Sequence, residues 1–209
     1  MISVRQQNFL LRKEKILAMA ETLLLDNNQD ITLSELATEL DIAKGTIYKH
    51  FKSKNQLYLE LIILNEKRLL ELSKKYNPNI QAYVSQYMLY NMLNSNRTIL
   101  LHVIEERLTN NERKLKDLFE ELYQIREERI LEIRDLFANH LKALNSTMSI
   151  RDYLSYIWTV TYGASLLLNS THYQKSIGSR ERLIKLYAKQ ALMTPDKLSE
   201  SNENIETQA

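Results

Sequence analysis

The amino-acid sequence predicts an all-α protein, with a helix-turn-helix domain at the N-terminus and a larger helical domain after it. Only three glycines and two prolines occur among the 209 residues, so few positions interrupt a helix. Apolar residues recur at the three- and four-residue spacing of helices, and no sustained alternation of apolar and polar residues indicates a strand. The breaks between these periodic segments predict nine helices.

The first three predicted helices follow one another in the segment that ends at Lys54. A leading helix is indicated by the apolar residues Ile16, Ala20, Leu23 and Leu24. Thr32 and Glu35 then have the spacing of a capping box, in which each side chain accepts a hydrogen bond from the other residue's backbone N–H. The helix that they begin has an apolar face formed by Leu33, Leu36, Ala37 and Leu40. Asp41-Ile42 is too short for a loop and fits the turn of a helix-turn-helix unit.

The second helix of this unit runs from about Ala43 to Phe51. Ile47 and Phe51 are expected to be buried, while the opposite face carries polar, basic and aromatic side chains: Lys44, Thr46, Tyr48, Lys49 and His50. Gly45 lies in the first turn, although glycine disfavours a helix by about 1 kcal/mol relative to alanine. A missing side chain there lets the backbone approach a partner closely, and DNA is the natural candidate.

Residues 43–54, Ala-Lys-Gly-Thr-Ile-Tyr-Lys-His-Phe-Lys-Ser-Lys, resemble the recognition-helix signature of the TetR family of bacterial transcriptional regulators. The resemblance is specific over roughly residues 8–62, and beyond them it depends on length and helical order. Ala43 departs from the pattern, in which serine is common. The competing interpretation is an ordinary helical hairpin whose lysines form a solvated face, and the run from Lys44 to Phe51 is too specific to favour it.

The resemblance implies that this segment contacts DNA. In the major groove, Lys44 would donate to guanine edges and Thr46 would contact a base or a thymine methyl group. Tyr48 and His50 suit phosphate or sugar, which sets register without reading sequence. The full predicted DNA-binding set is Thr32, Lys44, Gly45, Thr46, Tyr48, Lys49, His50 and Lys54. Arg5 either reaches the minor groove from a loose N-terminal arm or belongs to a disordered tail.

Six further helices are predicted. A linker helix runs from about Lys54 to Tyr76, where Asn77-Pro78 ends it. The others cover residues 79–94, 97–108, 112–144, 150–171 and 179–193. We therefore assign residues 1–55 to a DNA-binding domain, 56–193 to a ligand-binding and dimerisation domain, and 194–209 to a disordered polar tail.

The resemblance also implies a homodimer on a palindromic operator, formed through residues 150–193. Helix-turn-helix proteins usually dimerise because one recognition helix reads too few base pairs. In the family, the last two helices of each subunit form an intersubunit four-helix bundle. The residues that would face the partner are Trp158, Ser165, Leu168, Leu183, Tyr187 and Ala191, and Gly163 would allow close helix approach. The alternative is that Gly163 and Trp158 serve the subunit's own core.

Family members usually repress transcription and release DNA when a small molecule enters the second domain. The candidate pocket residues are Tyr83, Tyr87, Met88, Met92, His102, Glu105, Tyr123, Trp158 and Tyr162. Aromatic rings and methionine suit an apolar or aromatic effector, although the same residues also suit plain core. The alternative function is a nucleoid-type or protein-partnered DNA-binding protein of the same fold without a metabolite ligand, which a dense second domain would favour.

Composition excludes several other classes of function. The chain has no cysteine, so disulfides, thiolate metal sites and cysteine redox sensing are ruled out. Its four histidines are scattered, and no phosphate-binding loop, Gly-x-Ser-x-Gly or His-x-x-x-His motif occurs. We expect no enzymatic activity, cofactor or metal. The sequence shows neither a membrane-spanning apolar run nor a signal peptide, so we expect a cytoplasmic protein.

Overall fold

The computed structural model describes residues 3–27, 30–109, 113–176 and 179–205, and the all-α class is confirmed over these residues. The helices are α1 Val4–Asn27, α2 Leu33–Glu39, α3 Lys44–His50, α4 Lys54–Tyr76, α5 Ile80–Leu93, α6 Ser95–Thr109, α7 Lys116–Ala143, α8 Ile150–Asn169, α9 Thr171–Ser176 and α10 Arg180–Ile205. A 3₁₀ turn, Arg113–Leu115, precedes α7. None of the described helices is long and apolar enough to cross a membrane.

Two elements differ from the sequence prediction. The six-residue helix α9 was not predicted, because so short a segment shows no periodicity. The tail was predicted to be disordered from residue 194, whereas the α10 helix continues to Ile205, and residues 206–209 lie outside the described residues. The composition after Pro195, in which half of residues 196–205 are Ser, Asn or Asp, does not by itself explain this continuation.

The residues divide into two compact units at boundaries other than the predicted ones. Unit 1 comprises Met1–Asn65 and Leu100–Leu122, and unit 2 comprises Glu66–Ile99 and Tyr123–Ala209. The prediction of one boundary at residue 55 assumed that each unit is a continuous stretch of chain. Instead, the second half of α6 and the start of α7 belong with the N-terminal helices.

The core of unit 1 holds the helix-turn-helix in place. Its fully buried side chains include Ile16, Leu24, Ile31, Leu36, Ile47, Phe51, Leu57 and Tyr58. The buried hydroxyl of Tyr58 accepts a hydrogen bond from the Ile31 N–H at 3.1 Å and donates one to Asp30 at 3.2 Å. Because both hydrogen-bonding roles of this hydroxyl are used, the ring can be buried without an unpaired polar group.

The turn between α2 and α3 has the predicted position. The capping box is present: the Thr32 hydroxyl accepts from the Glu35 N–H at 3.1 Å, and the Glu35 carboxylate accepts from the Thr32 N–H at 2.7 Å. Asp41 adopts a positive φ of 50°, a conformation that aspartate tolerates better than most residues. The N–H of Ile42 returns to the Ala37 carbonyl at 3.0 Å, which closes the tight turn.

Unit 2 is built around α5, α8 and α10. Its core includes Tyr83, Val84, Met88, Met92, Ile133, Phe137, Tyr153, Ile157, Leu168, Ile184 and Ala191. Ser165, Leu168 and Ala191 are buried within the subunit, so the prediction that these residues face a partner is wrong. The buried Tyr153 hydroxyl donates to the Ala191 carbonyl at 3.0 Å, which links α8 to α10. Asn79 and Ser149 cap α5 and α8 by accepting backbone N–H groups.

Candidate nucleic-acid interface and ligand cavity

Helix α3 is anchored on one side and open on the other. Ile47 and Phe51 are fully buried, as predicted. Lys44, Gly45, Tyr48 and Lys49 are exposed, and Thr46 is half-buried beside them. The helix therefore presents two ammonium groups and a phenol on a face that the domain's own core does not use.

Gly45 is not required by the protein's own packing. A Cβ atom placed at this position would meet nothing within 4 Å among the described residues. The glycine therefore leaves open space at the exposed side of the first turn of α3. This space is what close approach of an external partner needs.

A groove of about 800 Å³ lies between α1 and α3 in unit 1. Its lining residues are Ser3, Arg5, Gln6, Asn8, Phe9, Leu10, Arg12, Thr46, Lys49 and His50. The prediction of a loose arm for Arg5 is wrong, since this residue lies in the first turn of α1. The physical reason is a local cap: the Ser3 hydroxyl accepts from the Gln6 N–H at 3.2 Å, and the Gln6 side chain accepts from the Ser3 N–H at 3.0 Å.

His50 lies against α1. Its ring stacks on Phe9 with the centroids 4.1 Å apart. Burial lowers the pKa of His50 below its ordinary value, and the nearby charges of Arg12 and Lys13 lower it further. The imidazole is therefore neutral at pH 7 and offers no positive charge to a phosphate.

Lys54 and Thr32 are already used within unit 1. The Lys54 ammonium forms an ion pair with Asp30 at 3.1 Å, and Arg107 approaches the same carboxylate at 3.3 Å. Burial acts to raise the pKa of Asp30, but the hydrogen bonds and charges of Lys54 and Arg107 outweigh it and hold the pKa below its ordinary value. The Thr32 hydroxyl is an exposed helix cap.

A cavity of about 430 Å³ in unit 2 contains three of the nine predicted pocket residues, Tyr83, Tyr87 and Trp158. The other lining residues are Arg129, Ile130, Ile133, Phe137, Leu154, Ser155, Ile157 and Thr159. Sequence reasoning missed the α7 residues because the Glu and Arg spacing along that helix resembles ordinary surface ion pairs. The four-residue spacing of Arg129, Ile133 and Phe137 places them on one face of α7, and this spacing could have indicated that Arg129 lies beside an apolar surface.

The remaining predicted pocket residues lie elsewhere. Met88 and Met92 are fully buried in the unit 2 core and do not line this cavity. Tyr162 stacks on Trp158 with the ring centroids 5.3 Å apart. Tyr123 is exposed on α7, whereas His102 and Glu105 lie on the part of α6 that belongs to unit 1. The nine residues therefore do not form one pocket.

A group of charged side chains adjoins the cavity. The Glu66 carboxylate lies 3.3 Å from Nε of Arg126 and 3.3 Å from Nε of Arg129. Burial acts to lower the pKa of Arg129, but the Glu66 charge together with Tyr87 and Tyr83 outweighs burial and raises the pKa, so the guanidinium stays charged. Burial raises the pKa of Tyr87 to about 12, so its hydroxyl is neutral and can donate a hydrogen bond.

The described residues include no group of three or more histidine, aspartate or glutamate side chains that could hold a metal ion. The charged groups near the cavity are arranged as ion pairs between arginine and glutamate. The groups that line the cavity include a guanidinium, two phenols and aromatic rings.

Part of the N-terminal region is similar to a known protein family. Residues 16–61 match the model described as bacterial regulatory proteins, tetR family. The HTH-type transcriptional regulator QacR of Staphylococcus aureus is 33% identical over 82 residues, which are 39% of this chain and 44% of that protein. The regulator AcrR of Shigella flexneri is 32% identical over 84 residues, which are 40% of this chain and 35% of that protein.

The chain thus spans less than half the length of either relative that it matches. The matched family model covers α2 and α3 completely, together with the second part of α1 and the start of α4. It therefore includes the exposed face of Lys44, Gly45, Tyr48 and Lys49. The match shows that residues 16–61, which contain α2 and α3, are similar to the bacterial regulatory proteins of the tetR family.

Proposed function

We propose that the protein is a DNA-binding transcriptional repressor that binds a palindromic operator as a homodimer and is released by a small-molecule effector. It would act in the cytoplasm, where bacterial DNA lies. The observation that carries the proposal is the two-sided character of α3. Ile47 and Phe51 are buried in the core of unit 1 and hold the helix in place, while Lys44, Gly45 and Tyr48 are exposed.

The face of α3 suits the major groove of DNA. The second helix of a helix-turn-helix unit enters this groove, with its N-terminal residues nearest the base edges. Lys44 and Thr46 lie at that end of α3 and are the base-contacting candidates, whereas Tyr48 and Lys49 suit the phosphate backbone. Arg5 and Arg12 line the adjoining groove, so they extend the cationic surface beyond α3.

The proposed homodimer uses α8 and α10. Trp158 and Leu166 on α8 and Leu186 on α10 are each exposed by nearly half of their surface. A Cβ atom at Gly163 would meet nothing within 4 Å among the described residues, so this part of α8 can accept a close neighbour. Apolar side chains exposed on two adjacent helices are typical of a surface that another protein covers.

The cavity in unit 2 supports effector binding over the alternative of a DNA-binding protein without a ligand. Its volume of about 430 Å³ lies within the range of small-molecule sites. Its walls are mainly aromatic and aliphatic, with a few polar groups that can orient a ligand. A ligand releases DNA only if it binds more tightly to the released conformation than to the DNA-bound one.

Selection from a random library of duplex DNA tests the proposal. The full-length protein is incubated with the library at a fixed, moderate salt concentration, and bound DNA is sequenced over several rounds. We expect an enriched consensus with two-fold symmetry and half-sites about one helical turn apart. Enrichment of an asymmetric sequence would contradict the homodimer, and absence of enrichment at low and moderate salt would contradict sequence-specific binding.

A further inference from the structure

The cavity in unit 2 has a distinctive charge on its wall. Among the described residues that line it, Arg129 alone carries a formal charge. Only 17% of the Arg129 side-chain surface is exposed. Placing a guanidinium in such surroundings is costly unless its charge is compensated. This position therefore favours a negative charge inside the cavity and disfavours a positive one.

The protein places one carboxylate, that of Glu66, against this guanidinium. Nε of Arg129 faces Glu66 at 3.3 Å, but the same carboxylate also lies 3.3 Å from Nε of Arg126. The Arg129 guanidinium also lies 5.9 Å from the centre of the neutral Tyr87 ring. Arg129 thus shares one carboxylate with a second cation.

The rest of the cavity selects a flat apolar body. Tyr83, Tyr87, Phe137 and Trp158 supply aromatic surface, and Ile133 and Ile157 supply aliphatic surface. Aromatic rings prefer offset or edge-on partners that bury large apolar areas. A volume of about 430 Å³ accommodates a molecule of one or two rings.

We propose that the effector is an aromatic carboxylate, whose rings occupy the cavity between α5, α7 and α8 and whose carboxylate pairs with Arg129. The guanidinium suits this role because its planar fork can donate two parallel hydrogen bonds to one carboxylate. Tyr87 lines the same cavity, and its hydroxyl is a candidate for a further donor. This inference rests on the proposed function and defines the ligand class at that site.

A set of three isosteric probes tests the charge selectivity of the full-length protein. The probes are biphenyl-4-carboxylate, its neutral carboxamide and the cationic biphenyl-4-methylammonium, and their affinities are measured by calorimetry. Trp158 is the only tryptophan in the sequence and lines the cavity, so its fluorescence gives a second readout at the site. We expect the carboxylate to bind at least tenfold more tightly than the amide and the amine to bind most weakly.

Two variants link the selectivity to the proposed residues. Arg129→Gln is expected to lose tenfold or more of the carboxylate affinity while the amide affinity stays unchanged. Glu66→Gln removes the competing carboxylate and is expected to strengthen carboxylate binding. Arg134→Gln, at an exposed arginine on the same helix, is the matched control and is expected to bind like wild type. If Arg129→Gln does not fold, the three-probe comparison on the wild type still shows whether the protein prefers a carboxylate.

Equal or tighter binding of the amide or the amine would overturn the proposal, as would failure of all three probes to bind. The outcome is separable from the proposed function through a parallel DNA-binding measurement. A protein that binds DNA specifically but prefers no carboxylate refutes the ligand class alone. A protein that binds the carboxylate but no DNA refutes the regulatory function instead.

Discussion

Arg107 forms an ion pair with Asp30 at 3.3 Å, which ties α6 to the segment just before the helix-turn-helix. Lys54 at the start of α4 pairs with the same carboxylate, and the Tyr58 hydroxyl donates to it. This shared acceptor gives a physical reason for residues 100–122 to belong to unit 1. The half-exposed Asp30 therefore links its own segment to α4 and α6, which are far apart in the sequence.

Arg107 contributes to the low pKa of Asp30. Arg107→Ala should raise the pKa of Asp30 towards its ordinary value of 3.8, because one of the two cations that lower it is lost. A carboxyl carbon NMR titration measures the change. The loss of stability at neutral pH should be at most about 1 kcal/mol, since Asp30 is half exposed.

The pH dependence of this effect has a defined sign. A carboxylate whose pKa is lowered by folding stabilises the fold above its unfolded pKa, and this contribution is lost as the pH falls through the folded pKa. The stability difference between wild type and Arg107→Ala should therefore be present at neutral pH and shrink below pH 3.8. An unchanged Asp30 titration in the variant would show that the pair does not form in solution.

His50→Phe is expected to alter the response to mild acid. The wild-type pKa is lowered mainly by burial, so the unfolded chain takes up a proton near pH 6.5 before the folded chain does. Wild-type stability should fall as the pH drops below 6.5, and the variant should lack this component while keeping the ring contact with Phe9. Urea unfolding at pH 7.5 and pH 5.5 measures the free energy of unfolding of both proteins. An equal loss of stability in the wild type and the variant would show that the pKa of His50 is not lowered by folding.

Tyr48→Ala should weaken DNA binding without unfolding the protein. Tyr48 is 48% exposed on α3, so its removal should cost no more than about 0.5 kcal/mol of stability. Loss of one phosphate or sugar contact should reduce affinity about tenfold. Fluorescence anisotropy with the selected duplex, together with a thermal melt of the variant, measures both quantities.

Ile47→Ala provides the contrast on the same helix. Its side chain is fully buried, so truncation should destabilise the protein by about 2–5 kcal/mol. DNA binding is then lost through unfolding of the helix-turn-helix. If Tyr48→Ala melts the protein or leaves affinity unchanged, the assignment of the exposed face is incorrect.

The proposed dimer surface predicts the effect of added charge. Leu166→Arg on α8 and Leu186→Arg on α10 should each shift the protein from dimer to monomer in sedimentation velocity experiments, because both leucines are exposed in the proposed interface. Leu131→Arg is the control, since this leucine is 60% exposed on α7 and lies outside residues 150–193. Equal sedimentation of all three variants and the wild type would place the interface elsewhere.

Local signals in the sequence predicted the helices and the turn of the helix-turn-helix unit well. The three-residue spacing of Thr32 and Glu35 is typical of a capping box at a helix start, and both hydrogen bonds of this box are present. The similar box formed by Ser3 and Gln6 was missed, because no clear apolar periodicity follows it in the first turns of α1. The same difference in pattern explains why Arg5 was misplaced.

Contacts between distant segments were much harder to predict. The pairing of Asp30 with Arg107 joins residues that are 77 positions apart, and no local pattern encodes such a contact. Arg129 resembles the other charged residues of α7 in sequence, so only the tertiary packing distinguishes a cavity wall from a solvated face. Tyr83, Tyr87 and Trp158 were selected by residue type, which identifies aromatic surface but not the cavity that it lines.

Recovery and sequencing of the genomic DNA that the protein binds in its host, at controlled salt, tests the central claim most directly. A specific repressor predicts one or a few palindromic sites that overlap promoters, and Tyr48→Ala should reduce their enrichment. Many dispersed sites away from promoters would favour a nucleoid-type protein instead. Absence of enrichment at every salt concentration would contradict the assignment of α3 as a DNA-recognition helix.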